Sequence, residues 1–164
     1  MSIEIERKWL VSGFPKGIEI DYIEDSYTIK QSYLIASEEE IRLREATPLL
    51  CLPGELPPYM LTFKGPGTFS RKEVEIELTY NQYKSLFNAV EGEPIEKLYY
   101  KYFVYGYHVE VSRVDNEWYY AEVEFDNEEE MKKFEFPWPE IVIEEVTCND
   151  FYKMKNYWNR RNSK

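Results

Sequence analysis

The residues best suited to chemistry stand in rows. In IEIERKWLV (Ile3–Val11), Glu4, Glu6 and Lys8 alternate with Ile3, Ile5, Arg7 and Trp9. A strand shows residues i, i+2 and i+4 on one face, so two carboxylates and an ammonium share one side. In EEIRLREA, Arg42 and Arg44 oppose Ile41 and Leu43, and in YMLTFKG, Thr62 and Lys64 oppose Leu61 and Phe63. Glu73, Glu75 and Glu77 oppose Val74, Ile76 and Leu78, while Glu122 and Glu124 oppose Ala121, Val123 and Phe125. Glu110 opposes Val109 and Val111, and Lys97 and Lys101 oppose Leu98, Tyr100 and Tyr102. Arginine and lysine rows recognise phosphate oxygens, arginine through bidentate contacts. Carboxylate rows would repel the same phosphates unless hard divalent cations such as Mg²⁺ or Mn²⁺ lay between them. A basic wall facing an acidic wall thus suits a metal-bound polyphosphate.

Alternation is ordinarily the mark of a sheet with one face in water. Two details argue otherwise. Wet faces mix Thr, Ser, Gln and Lys, whereas these carry ExE, RxR and ExExE almost undiluted. Charge sign is also sorted by strand. Eight strands closed with charges inward would enclose a polar lumen sized for one small ligand.

The remaining composition narrows the classes. A chain of 164 residues reads as one domain, 1–164, with a real core. Its net charge of -11 disfavours a nucleic-acid partner. Without an apolar run of spanning length or a signal-peptide pattern, no membrane association is expected and the location reads as cytoplasmic. Cys51 and Cys148 are too few for a disulfide framework or a cysteine zinc site. There is no phosphate-binding GxxxxGK[ST] loop and no GxSxG elbow. The only histidine, His108, shares a face with Glu110, so zinc clusters and Ser-His triads lack parts.

The elements that must position the rows are mostly strands. Strand patterns cover Ile3–Val11, Ser26–Ile35, Glu40–Ala46, Tyr59–Lys64, Lys72–Leu78, Ile95–Tyr105, His108–Val114 and Trp118–Phe125. A capping box, Thr79 to Gln82, predicts a helix ended by Gly92; Asn127 caps a short one stopped by Pro137. A last helix is predicted over Thr147–Arg160, and Thr47–Pro58 reads as a long hairpin loop. Phe151, Met154, Tyr157 and Trp158 give that last helix an apolar stripe. It would pack on the barrel, or plug one mouth with Lys153, Lys155 or Arg160 near the ligand. The class is α+β, mainly antiparallel β.

IEIERKWLV resembles the ExExK signature of the CYTH domain, the triphosphate tunnel metalloenzymes. The ordered series QSYL (Gln31–Leu34), RLRE, LTFKG, SRKEVEIEL, IEK, VEV, AEVEF and EVT, with Asp150 and Tyr152, is similar to that family over nearly the whole chain. The resemblance implies an eight-stranded closed antiparallel tunnel with a hydrophilic charged lumen and a few flanking helices. It implies substrate binding by Lys8, Arg42, Arg44, Lys64 and Lys97, with Lys101 the nearest further base. Metal would be held by Glu4, Glu6, Glu122 and Glu124, with Glu73, Glu75, Glu77 and Glu110 as further acidic lining. Catalysis would fall to Glu6, Glu124 and Lys8, hydrolysing a phosphoanhydride with Mg²⁺ or Mn²⁺. Tyr99 and Ser112 depart from the pattern, which often has a basic residue at the first position and in some members an Asp at the second. Inorganic tripolyphosphate fits the charged lumen best. Adenylate cyclase, thiamine triphosphatase and a non-catalytic polyphosphate-binding module remain alternatives, and a homodimer is left open.

Overall fold

The computed structural model of the chain describes residues 2–49, 55–67 and 70–163. Its strands are β1 (Ser2–Val11), β2 (Ile23–Ala36), β3 (Glu40–Pro48), β4 (Tyr59–Lys64), β5 (Ser70–Glu77), β6 (Ile95–Val104), β7 (Tyr107–Val114), β8 (Trp118–Glu124) and β9 (Val142–Glu145). The helices are α1 (Tyr80–Phe87), α2 (Glu128–Lys133) and α3 (Met154–Asn162). All strand pairings are antiparallel, in the order β5-β4-β3-β2-β6-β7-β8-β1-β9. A pairing of β1 with β5 closes β1 to β8 into a barrel. The closed eight-stranded tunnel read from the sequence is the fold.

β1 is the seam. Its first half, Ser2 to Ile5, pairs with β5, and Glu6 to Val11 pairs with β8. Where β5 leaves, β9 takes over the free edge beside Trp9 to Val11. That ninth strand, VIEE, was not expected, because four residues carry too short an alternation to register. The apolar sides of the strands face outward under the helices. Trp9, Val11, Val109, Val111, Ala121 and Val123 form one such core, covered by Phe134, Trp138 and Ile141. The charged sides are thereby left facing the barrel axis.

Helix boundaries differ from those predicted. The Thr79 capping box forms, but α1 ends at Phe87, not Gly92: the Ala89 and Val90 N–H groups donate to Leu86 and Phe87 in a tightened last turn. Helix α2 ends where Phe134 becomes extended, before Pro137 acts. The stretch 147–160 is not one helix. A 3₁₀ turn, Asp150–Tyr152, precedes α3, which shifts the phase and leaves Phe151 exposed while Met154 and Trp158 stay buried. Within the expected 47–58 loop, residues 50–54, including Cys51, lie outside the described residues. Replacing Thr79 by Ala should cost about 1 kcal/mol of stability in a urea titration and leave any lumen activity unchanged.

Candidate functional site

The inward rows converge on a cavity of about 270 Å³. β1 contributes Glu4, Glu6 and Lys8; β3 contributes Arg42 and Arg44; and β4 contributes Lys64. β5 adds Glu73 and Glu75, β6 Lys97, β7 Glu110, and β8 Glu122 and Glu124. Two proposed residues stand apart from it. Glu77 is exposed at the end of β5 and Lys101 is bound to Glu55 at 3.2 Å. Both belong to the right face, but the strands carry them past the cavity. Lys101 and His108 instead line a second cavity of about 410 Å³, which meets the first at Glu4, Glu73, Glu110 and Glu124. His108 itself bonds to Glu24 at 2.8 Å.

The sequence reading passed over Glu40, Arg71, Tyr33 and Tyr120, all of which line the lumen. Parity held the signal for two of them: Glu40 precedes Arg42 by two, and Arg71 precedes Glu73 by two. Arg71 bridges Glu40 and Glu4, the latter at 3.5 Å. The two departures from the family pattern, Tyr99 and Ser112, are direct cross-strand partners. They share one local rearrangement, in which the Tyr99 hydroxyl donates to Glu110.

The C-terminal segment packs on the barrel, and part of it reaches the lumen. Trp158 and Met154 pack with Tyr33, Ile95, Val114 and Tyr120. Lys153 and Met154 also line the lumen. Lys8 Nζ donates to the Tyr152 carbonyl at 2.8 Å and Lys153 Nζ to that of Gly67 at 3.2 Å. Lys155 donates to the carbonyls of Ser37 and Glu38, so the segment is tied across one mouth. Arg160 stacks on Phe151, its guanidinium carbon 3.8 Å from the ring centre, away from the lumen.

Charge is unevenly compensated inside. Lys64 Nζ lies 2.8 Å from Glu4 and 3.4 Å from Glu73, and Lys8 lies 3.3 Å from Glu122. Arg42, Arg44 and Lys97 form no ion pair among the described residues. Among the described residues Lys97 donates only to the Tyr120 hydroxyl, at 2.6 Å, and Arg42 to Thr62 at 3.2 Å. The buried Nε groups of Arg42, Arg44 and Arg71 have no hydrogen-bond partner among the described residues. Buried cations are normally paired, and unpaired ones cost several kcal/mol. Burial and neighbouring Arg44 push Lys97 well below the usual lysine range; burial and Arg42 also lower Arg44. An anion among these three groups would supply the missing partner.

The opposite wall has the complementary problem. Carboxylate oxygens of Glu4, Glu6 and Glu124 lie within 4.8 Å of one another. Burial, with Glu122 and Glu4 close by, pushes Glu6 up to about 8. Burial, with Glu110 and Glu4, pushes Glu124 up to about 9. Burial opposes ionisation of Glu4 as well, but Lys64 outweighs it and holds that carboxyl at about 2. Glu122 is likewise kept below the usual range by Lys8 and Lys97 against its burial. Three converging oxygen donors, two of them pushed above the usual carboxylate range by burial and like charge, fit a hard divalent cation.

These shifts predict a pH signature. Glu6 and Glu124 have ordinary values of 4.5, so the folded chain holds more protons than the unfolded chain above that pH. The stability they contribute is fully present below 4.5 and is lost as pH rises through their folded values near 8 and 9. In chelator, the melting temperature should fall between about pH 5 and pH 9, and a divalent cation should raise it more at the alkaline end. A flat profile in chelator would contradict the assignment.

A closed antiparallel barrel with cations on one inner wall and carboxylates on the other is a hydrophilic tunnel protein. Over 97 residues the chain is 36% identical to an inorganic triphosphatase of Nitrosomonas europaea, a stretch spanning 59% of this chain and 56% of that protein. The crystal structure of an inorganic triphosphatase superposes with a TM-score of 0.61 and 30% identity, covering 96% of this chain and 95% of that one. A protein from Pyrococcus horikoshii shares the fold at 20% identity, with a TM-score of 0.58 over 79% of this chain and 84% of that one. No protein-family model matches the chain. The chain belongs to the CYTH, or triphosphate tunnel metalloenzyme, family.

Proposed function

We propose that the protein hydrolyses a triphosphate, with inorganic tripolyphosphate the preferred substrate and pyrophosphate and phosphate the products. The observation that carries this is the trio of lumen cations without an ion pair among the described residues, Arg42, Arg44 and Lys97, opposite the carboxylates Glu4, Glu6 and Glu124. The lining favours a bare inorganic anion, since Arg42, Arg44, Lys64 and Lys97 can all be satisfied by phosphate oxygens. The inorganic triphosphatases among its relatives support the same reading.

In this mechanism Arg42 and Arg44 grip phosphate oxygens through their unpaired guanidinium N–H groups, and Lys97, Lys64 and Lys8 neutralise the chain. Burial makes each contact count for more than it would in water. Glu4, Glu6 and Glu124 would hold Mg²⁺ or Mn²⁺, with Glu122 beside them. When bound, the cation screens the phosphate charge and lets the carboxylates ionise. Water attacks the terminal phosphorus, the bond to the bridging oxygen breaks, and pyrophosphate departs. Glu6 or Glu124, ionised, takes the proton from the attacking water. No covalent nucleophile is needed.

Side-by-side phosphate release from tripolyphosphate, ATP and thiamine triphosphate, with Mg²⁺, with Mn²⁺ and with chelator, tests the proposal. Tripolyphosphate should show the highest kcat/KM, chelator should abolish release, and no cyclic AMP should form. Preference for ATP with cyclic AMP accumulating would replace this reading with a cyclase.

A further inference from the structure

The lumen has an apolar floor. Strand register places Ile29 beside both Lys97 and Ala46, and Tyr27 beside Tyr99. One step along the axis from the basic layer of Arg44 and Lys97, the inward row therefore turns apolar. Tyr27, Ile29, Ala46 and Tyr99 form a buried cluster with Leu56 packed against it, the two tyrosine rings 5.9 Å apart. Ile29, Leu56 and Tyr99 show their surfaces to the cavity. The chain that carries Leu56 is fastened across the barrel end. Its N–H donates to the Tyr27 hydroxyl at 2.9 Å, the Glu55 N–H to Asp25 at 3.2 Å, and the Ala46 N–H to the Pro58 carbonyl at 2.9 Å.

We propose that this layer is a specificity-determining stop, which limits how far a phosphate chain can enter and so selects three phosphates over longer chains. The inference rests on the triphosphatase reading above. A phosphate pressed into the layer would lose its water and meet only the Tyr27 and Tyr99 hydroxyls, already donated to Asp25 and Glu110, a costly exchange for a charged group. The other way past it is walled by Glu73, Glu110 and Glu124, which repel an anion. Leu56 is the adjustable part of the stop. It comes from a connecting loop and is only half-buried, so trimming it deepens the socket without removing a strand residue.

The test compares tripolyphosphate with linear tetrapolyphosphate, in metal-supported kinetics and in binding calorimetry, for the wild type and for Leu56→Ala, Leu56→Val and Tyr99→Phe. The wild type should favour tripolyphosphate. Leu56→Ala should move the kcat/KM ratio toward tetrapolyphosphate by about tenfold, the scale of a change of a few methylenes in a pocket. Leu56→Val should shift it less, and Tyr99→Phe, which keeps the ring, should leave the ratio alone. An unchanged ratio in Leu56 variants that melt cooperatively overturns the proposal, as does a wild type that takes both chains equally. Failure of the wild type to hydrolyse either chain would refute the triphosphatase reading instead, and the calorimetric preference would still decide whether the stop exists.

Discussion

Glu6→Gln should lower kcat by about a hundredfold or more, the scale of losing a positioned proton acceptor, while the protein keeps its fold. Glu6 sits on β1 opposite Glu124, within a group whose oxygens converge to 4.8 Å. The amide is isosteric, but it cannot take a proton from water and is a poorer donor to a hard cation. Its effect on stability should have the opposite sign. The native carboxyl is pushed up to about 8 by burial and by Glu122 and Glu4. A neutral amide escapes that repulsion, so in chelator at alkaline pH the variant should melt no lower than wild type. Loss of activity with retained or raised melting temperature separates a functional carboxylate from a structural one. Wild-type kinetics in this variant would place the acidic wall outside the chemistry.

Arg44→Ala should act chiefly on binding. Its guanidinium is enclosed, has no ion-pair partner among the described residues and is held below its usual range by burial and Arg42. A hydrogen bond to a charged group is worth about 1.5–3 kcal/mol, which corresponds to roughly ten- to hundredfold in KM for the triphosphate. Removing an unpaired buried cation should also relieve Arg42 and Lys97, so the ligand-free variant should be more stable than wild type. That combination, weaker binding with a higher melting temperature, is the expected mark of a group held in place for a ligand. A solvent-facing arginine would show neither effect, and unchanged KM with unchanged stability would mean that the basic row does not meet substrate.

The inward direction of the charged rows was legible because strand parity is a strict period of two and the rows are long and pure. Glu4, Glu6 and Lys8 declare a face in a way that scattered polar residues do not. Parity could not show where along the axis a face stops facing the ligand. Glu77 and Lys101 have the right parity, yet they lie a step beyond the cavity. Glu40 and Arg71 were passed over for the opposite reason: each stands at the edge of a row of different sign, so it did not join the pattern. Yet Arg71 and Lys64 are what hold Glu4 ionised. The apolar floor was illegible too, because Ile29 and Tyr99 look like ordinary core residues until register sets them beside Lys97 and Tyr27. Strand β9 and the 3₁₀ turn before α3 depend on what β1 and the barrel mouth leave open, which no local window contains.

The central claim is that the lumen holds a triphosphate between its two walls. A crystal structure of Glu6→Gln grown with tripolyphosphate and Mn²⁺ tests this most directly, because slow turnover should keep the substrate intact. The account predicts three phosphates inside the barrel contacting Arg42, Arg44 and Lys97, with anomalous scattering from manganese beside Glu4 and Glu124. Tripolyphosphate bound on the outer surface, with the lumen holding only water, would contradict it.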